Sequence, residues 1–313
     1  MTAMGQVRRQ RIDELAARAG QVPEGEGGVS LTKSAIRRLR RDPVAIIGAV
    51  VVVAFLIVAL LAPVLAPRDP LAQTLLSEIR PGFIPGSREG FPLGVDNLGR
   101  DLLSRLIWGS RQSLLIGVVA TVLGVVVGMA LGVLAGAFGG WVDTLVMRIV
   151  DIMLSIPGLL MAISISVLLG QNQYSLMIAI AVTQVPIFAR LLRGSMLVQR
   201  GSDYAVAAQA LGIRKTRIVF GHVLPNSLSP VIVQATLSLA TAIIEAAALS
   251  FLGLGDPDLA RPEWGAMLAN AQAFLSIRPE LAVYPALCII VVALGFTLLG
   301  ESLREALDPK FRR

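Results

Sequence analysis

The sequence predicts an all-α membrane protein with six transmembrane helices, and three observations carry that prediction. Of 313 residues, 55% are hydrophobic and only 16% charged, against about a quarter charged in an ordinary soluble domain. The charges are also absent in long blocks. There are 25 uncharged residues between Asp42 and Arg68, 31 between Arg111 and Asp143, 38 between Asp151 and Arg190, 27 between Arg217 and Glu245, and 20 between Glu280 and Glu301. A bilayer core of roughly 30 Å requires about 20 apolar residues in a helix. Third, the chain holds 30 glycines, which suits helices that pack closely inside a membrane. The length would allow two soluble domains, but the charge for their surfaces is missing. A lone cysteine, Cys288, excludes a disulfide scaffold, and the apolar content excludes disorder.

The first block predicts a span near 44–65. Forty-two residues precede it, so it reads as a true span and not a cleaved signal peptide. The second span is expected near 112–137. The longest block is interrupted by Gln171-Asn172-Gln173 and accommodates two spans, near 144–169 and 174–192, if the first starts close to Thr144. The last two lie near 226–250 and 281–300. Pro157 and Pro186 fall inside spans and can kink them.

Six spans place both termini on one side. Segments 1–42, 138–150, 190–217 and 300–313 hold 20 of the 28 Lys and Arg residues, whereas 67–111 and 253–280 hold eight, beside nine acids. The side rich in Lys and Arg is the cytoplasmic one. The net charge of +7 is therefore a topology signal, and it argues against a nucleic-acid partner. The resulting organisation is a basic cytoplasmic tail (1–42), a first transmembrane helix (43–66), an extracytoplasmic segment (67–111), a five-helix core (112–300) with a cytoplasmic loop at 193–225, and a cytoplasmic tail (301–313).

Between the spans, a short helix is expected at Arg8–Ala19, followed by a flexible glycine-rich stretch at 25–28. Four arginines just before the first span read as an anchor against anionic lipid. In the outer segment, Asp96 or Asn97 is expected to cap a solvated helix reaching about Trp108, with Asp101 and Arg105 paired at i, i+4. Arg148 and Asp151 read as a structural pair at the mouth of the third span. In the loop at 190–225, Ser202 can cap a helix, Asp203 sits at its positive end, and Gly212 can close it in a left-handed conformation before Arg214, Lys215 and Arg217. The residues alone leave two readings, an ordinary loop helix or a docking element whose small side chains admit a partner closely.

The chemistry of several enzyme classes is missing. No G-x-x-x-x-G-K-[ST] segment is present, so ATP hydrolysis is not expected of this chain. One histidine and one cysteine do not make a conventional zinc site. An intramembrane serine hydrolase would need serine and histidine facing each other in the membrane, whereas His222 lies at the start of the fifth span and reads as an interfacial hydrogen-bonding residue. Glu245 is the one acid deep in a span. It is either a polar element of a pathway or gate, or a carboxylate that reaches the interface or accepts a bond from a neighbouring helix.

At Val206-Ala207-Ala208, then Gly212, then His222-Val223-Leu224-Pro225-Asn226, the chain resembles the signature loop of bacterial ABC-importer permeases, with Val206 where the motif has glutamate. Leu93-Gly94-Val95-Asp96 through Arg111-Gln112-Ser113-Leu114 is similar to the segment before the second span in C-type permeases of the dipeptide/oligopeptide/nickel importers. Leu249 to Gly255 with Trp264-Gly265 resembles that family's last external loop, and Gly300 to Pro309 its C-terminal ending.

The resemblance covers about residues 33–311 and implies a type I ABC-importer permease architecture. It implies pairing with a B-type permease, two cytoplasmic ATPase domains that bind ATP and Mg, and an extracytoplasmic binding protein, in a bacterial inner membrane. No cofactor is implied for this chain, and no enzymatic activity. The coupling residues it implies are Asp203, Ala207, Ala208, Gly212, His222, Leu224 and Pro225. Peptide is the implied substrate, with a nickel chelate or other small solute as the alternative. An intramembrane enzyme and an ion-gradient carrier are the readings from other classes.

Overall fold

The computed structural model describes residues 36–258 and 261–307. The expected helix at Arg8–Ala19, the stretch at 25–28, and Asp308-Pro309 of the C-terminal motif lie outside the described residues. Among these, the regular structure is helical, with only isolated two-residue bridges at Arg80↔Phe83, Arg88↔Phe91 and Val95↔Asp101.

Helix α1 (Pro43–Leu60) starts with Pro43, and the Asp42 carboxylate accepts from the Val44 N–H at 3.0 Å. A short α2 (Ala62–Leu65) follows. After the outer segment come α3 (Leu102–Phe138), α4 (Gly140–Ser155), α5 (Gly158–Leu169) and α6 (Gln173–Arg200). The loop beyond α6 carries α7 (Asp203–Ala210), α8 (Lys215–Ile218), a π turn at Val219–Val223 and α9 (Leu224–Asn226). The chain ends with α10 (Ser229–Phe251), α11 (Trp264–Ala271) and α12 (Glu280–Leu307).

Five helices, α1, α3, α6, α10 and α12, are each long and apolar enough to cross a membrane. The expected third span is instead a broken pair, with α4 and α5 bent by 94°. The cause is local. Pro157 offers no N–H and forces Ile156 into an extended conformation (φ −91°, ψ 129°), so the helix stops and restarts.

Glycine spacing explains the tightest crossing. Gly124, Gly128, Gly132 and Gly136 recur every fourth residue along one face of α3, against α6. A Cβ on Gly128 would lie 2.6 Å from the Val185 carbonyl oxygen, and one on Gly132 would lie 2.8 Å from that of Ala189. The two backbones therefore touch. α6, with 72% of its most apolar stretch buried, is the axis around which α3, α5 and α10 pack. Large apolar side chains on α1, among them Ile47, Val50 and Leu60, stay exposed, as helices facing lipid require.

Three local expectations are corrected. The cap of α3 is Asp101, not Asp96 or Asn97; its Oδ2 accepts from the Ser104 N–H at 2.8 Å and the Ser104 hydroxyl at 2.6 Å. Arg105 pairs with Asp96 at 3.3 Å, and Asp96 also holds Arg100 at 2.7 Å. Asp96, Arg100, Asp101 and Arg105 are all buried, so this is an internal ionic knot and not a solvated helix. Finally, Asp151 pairs with Arg190 and not with Arg148, and Asp143 holds Arg193 at 2.6 Å. The acids of α4 thus reach across to α6. Charges find partners in space that the i, i+3 and i, i+4 spacings do not reveal.

Candidate functional site

The candidate docking surface is a compact platform at the end of the bundle where α3 and α6 finish. α7 is mounted there by Ala205 and Ala208, which pack into a cluster with Ala137 of α3, Leu192 and Met196 of α6, and Val231 of α10. Arg200 donates to the Gly136 carbonyl at 2.8 Å, satisfying the carboxyl end of α3. Ser202 occupies the cap position without capping; its hydroxyl donates instead to the Gln199 carbonyl at 2.6 Å.

The other end of α7 closes as a Schellman motif. The Ile213 N–H donates to the Ala208 carbonyl at 3.1 Å and the Gly212 N–H to the Gln209 carbonyl at 3.0 Å. Gly212 has φ +76°, the left-handed conformation that glycine adopts without penalty. A Cβ there would meet nothing within 4 Å, so its constraint is conformational and not steric.

The structure separates the two alanines of the motif. Ala207 is exposed, while Ala208 faces inward as part of the mount. Asp203 and Gly212 are exposed, as are His222 on the π turn and Pro225, with Leu224 half-buried. The outward face also carries large apolar side chains: Leu211 is 81% exposed, Val206, at the motif's glutamate position, 56%, and Phe220 54%. Arg214, Lys215 and Arg217, between Leu211 and Phe220 in the chain, are exposed as well. Their signal lay in the helix phase, because once Ala205 and Ala208 point inward, Val206, Ala207 and Ala210 must point out. The face can bury apolar surface in a partner while its basic rim fixes orientation.

Deep in the bundle, the half-buried Glu245 accepts a hydrogen bond from the Thr183 hydroxyl at 3.4 Å, joining α10 to α6. Among the described residues, no three His, Cys, Asp or Glu side chains converge on a metal-sized site.

At the opposite end, α11 is wedged between α3 and α10. Glu263 caps it, accepting from the Gly265 and Ala266 N–H groups at 2.8 Å each and from the Ser113 hydroxyl at 3.3 Å. Burial holds this carboxyl above the ordinary carboxylate range, against the pull of those donors. The fully buried Trp264 indole donates to the Leu106 carbonyl at 3.1 Å and meets Phe55 edge to face.

These helices form the bundle of a membrane transport subunit, the class that two family models assign. Residues 128–313 match the family model described as binding-protein-dependent transport system inner membrane component, and residues 30–80 match the N-terminal TM domain of oligopeptide transport permease C.

The chain is 42% identical over 284 residues to the dipeptide transport system permease protein DppC of Alkalihalophilus pseudofirmus, covering 91% of each chain. It is 43% identical to the glutathione transport system permease protein GsiD of Shigella flexneri, over 88% of this chain and 89% of that one. The MetNI methionine ABC transporter in inward-facing conformations shares the fold, with a TM-score of 0.54 at 19% identity over 65% of this chain and 96% of that one. An amino acid ABC transporter gives a TM-score of 0.51 at 16% identity, over 63% and 91%.

The chain belongs to the binding-protein-dependent inner-membrane permease family, as a C-type subunit of the peptide ABC importers. It is a transport subunit and not an enzyme, and ATP hydrolysis resides on separate subunits.

Proposed function

We propose that this permease forms half of a translocation pathway for di- or oligopeptides, paired with a B-type permease. An extracytoplasmic binding protein delivers the substrate, and two cytoplasmic ATPase domains holding ATP and Mg drive the cycle. The end carrying α7 faces the cytoplasm, as do both termini, and 67–111 lies outside. The observation that carries this reading is the mounting of α7. It is anchored at once to the ends of α3 and α6 and the start of α10, so a displacement imposed on its outward face moves three spans together. Ala207, Val206 and Leu211 enter the ATPase groove, and Asp203 and the basic residues orient it. Ala208 and Gly212 hold the helix in shape, and His222, Leu224 and Pro225 form the adjoining shoulder. The peptide assignment is supported by relatives named for dipeptide and glutathione transport.

The test is reconstitution of the four kinds of subunit in liposomes. Labelled peptide is expected to accumulate only with ATP and the binding protein present, and to be displaced by unlabelled peptide but not by a nickel chelate. Uptake that persists without ATP overturns the reading in favour of a gradient-driven carrier.

Glu245 is proposed as a polar element of the pathway. Glu245→Gln keeps the size and the acceptor for Thr183 but removes the charge. Peptide uptake is expected to fall several-fold, with binding-protein-stimulated ATP hydrolysis uncoupled from it. If uptake and stimulated hydrolysis both match the parent, Glu245 has no part in transport.

A further inference from the structure

The side chains of α10 carry a pattern that contact with lipid does not explain. Gln234, Ser238, Thr241 and Glu245 recur at intervals of four, three and four residues. At about 100° per residue they fall within one sector of about 60°, and at about 1.5 Å per residue they extend for about 16 Å, roughly half of a bilayer core. Ser238 is buried, and its carbonyl accepts from the Thr121 hydroxyl of α3 and the Gln184 amide of α6 at 3.5 Å each. The other three stay open: Thr241 is exposed, and Gln234 and Glu245 are half-buried. A hydroxyl, an amide and a carboxylate aligned on the open side of a span are costly in hydrocarbon, so that side faces water or protein.

A second observation, independent of α10, concerns the neighbouring wall. Ile156, Pro157 and Gly158, where α4 stops and α5 restarts, are exposed, and among the described residues no side chain caps α5. The break lies at membrane depth. A Cβ on Gly158 would stand 4.0 Å from the Thr183 Cβ, and Thr183 is about 15 Å along α6 from its start at Gln173. Non-helical backbone at that depth occurs only where protein buries it or water reaches it. Two turns further along α6, Arg190 pairs with Asp151 of α4, with more than half of each side chain exposed.

Thr183 joins the two walls, since its hydroxyl donates to Glu245 at 3.4 Å. α6 is therefore the floor of a cleft, with the α4–α5 break on one side and the α10 stripe on the other. At the end opposite α7 the walls are tied, the Gln171 amide donating to the Gly253 carbonyl at 2.8 Å. Toward α7, Gln234 opens on a cavity of about 350 Å³ that it lines with Leu191 of α6 and Arg304 of α12. A dry contact between subunits is apolar at its centre. Open polar groups that lead into a cavity fit a water-filled passage instead.

We infer that this cleft is the wall that the chain contributes to the translocation pathway, and that Thr241 and Gln234 line it together with Glu245. Their hydroxyl and amide offer neutral hydrogen bonds to a passing peptide backbone, with Glu245 as the one charge of the stripe. Peptide as the solute rests on the import function proposed above; the need for water along the cleft does not.

The test is thiol accessibility in the assembled complex of both permeases and their ATPases, in lipid nanodiscs. Thr241→Cys, Gln234→Cys and Ile156→Cys are made singly in a Cys288→Ala parent and treated with a charged methanethiosulfonate, which attacks thiolates that water reaches. The adduct on this chain is followed by mass spectrometry, without nucleotide and with ATP trapped by vanadate. In at least one of these states the three are expected to react about tenfold or more faster than Val53→Cys on the lipid-facing side of α1. The adduct at Thr241→Cys is expected to block peptide uptake in proteoliposomes. Assembly is checked by size exclusion, and Gln234→Cys and Ile156→Cys keep the test sound if Thr241→Cys does not assemble. Cleft cysteines as inert as Val53→Cys in both states overturn the inference. Uptake by the unmodified complex is measured separately: ATP-driven peptide uptake with inert cysteines refutes the cleft alone, and reactive cysteines in a complex that imports no peptide refute the peptide-import reading alone.

Discussion

Gly212→Val is expected to abolish peptide uptake while the chain still inserts and assembles. The φ of +76° at Gly212 places a β-branched residue in a region that costs about 2 kcal/mol, because Cβ crowds the following carbonyl. That penalty equals about a thirtyfold bias against the closed cap. The two Schellman bonds to Ala208 and Gln209 would open, freeing the end of α7 that displays Leu211. The mount uses the Ala205 and Ala208 side chains against α6, contacts that do not need the cap bonds, so the bundle itself should survive. Gly212→Asn is the discriminating control, since asparagine tolerates the left-handed conformation and should retain most uptake. Uptake in proteoliposomes, normalised to assembled complex on size exclusion, decides it. Parental uptake by the valine variant removes the docking role from this helix.

Gly128→Leu is expected to prevent correct folding altogether. The first added carbon would stand 2.6 Å from both the Phe188 Cβ and the Val185 carbonyl oxygen, where neither backbone can yield without separating α3 from α6. Overpacking of a rigid interior costs about 1–3 kcal/mol, and loss of the close crossing adds to it. Gly194→Ala on α6 is the contrast. A Cβ there meets nothing within 4 Å, so that change should be neutral or stabilising by up to about 1 kcal/mol, the helix-propensity gain of alanine over glycine. Monodisperse yield and melting of the detergent-extracted chain measure both; a well-folded Gly128→Leu variant would mean that the α3–α6 crossing does not depend on contact between backbones.

These two positions differ in how far the sequence reveals them. Gly212 was legible because an Ala-rich segment ending in glycine and then basic residues has a local explanation, the helix cap. The spans were legible for a similar reason: exclusion of charge from lipid acts on composition within one segment. What required the fold was everything decided between segments. The partner of Arg105 was hidden because Asp96 lies outside the helix that carries it, and two arginines compete for that one acid. Ala207 and Ala208 looked equivalent until the cluster around Met196 fixed which of them faces inward. The exposed Leu211 escaped attention because an apolar residue beside a cap is usually packed. Pro157 announced a kink but not its size, since proline removes a hydrogen bond and leaves the new direction to packing.

That kink bears on how the protein is made. α5 has 12 residues, about 18 Å of helix, too short to cross a bilayer core of roughly 30 Å alone. Its companion α4 carries Asp143 and Asp151, each costly to leave in lipid unneutralised. Their counter-charges, Arg193 and Arg190, are on α6, synthesised some forty to fifty residues later. A nascent chain leaving the insertion machinery one helix at a time would therefore release α4 and α5 before the arginines that make them tolerable. The two ion pairs make α4, α5 and α6 one neutralised unit, and we expect this unit to enter the bilayer together.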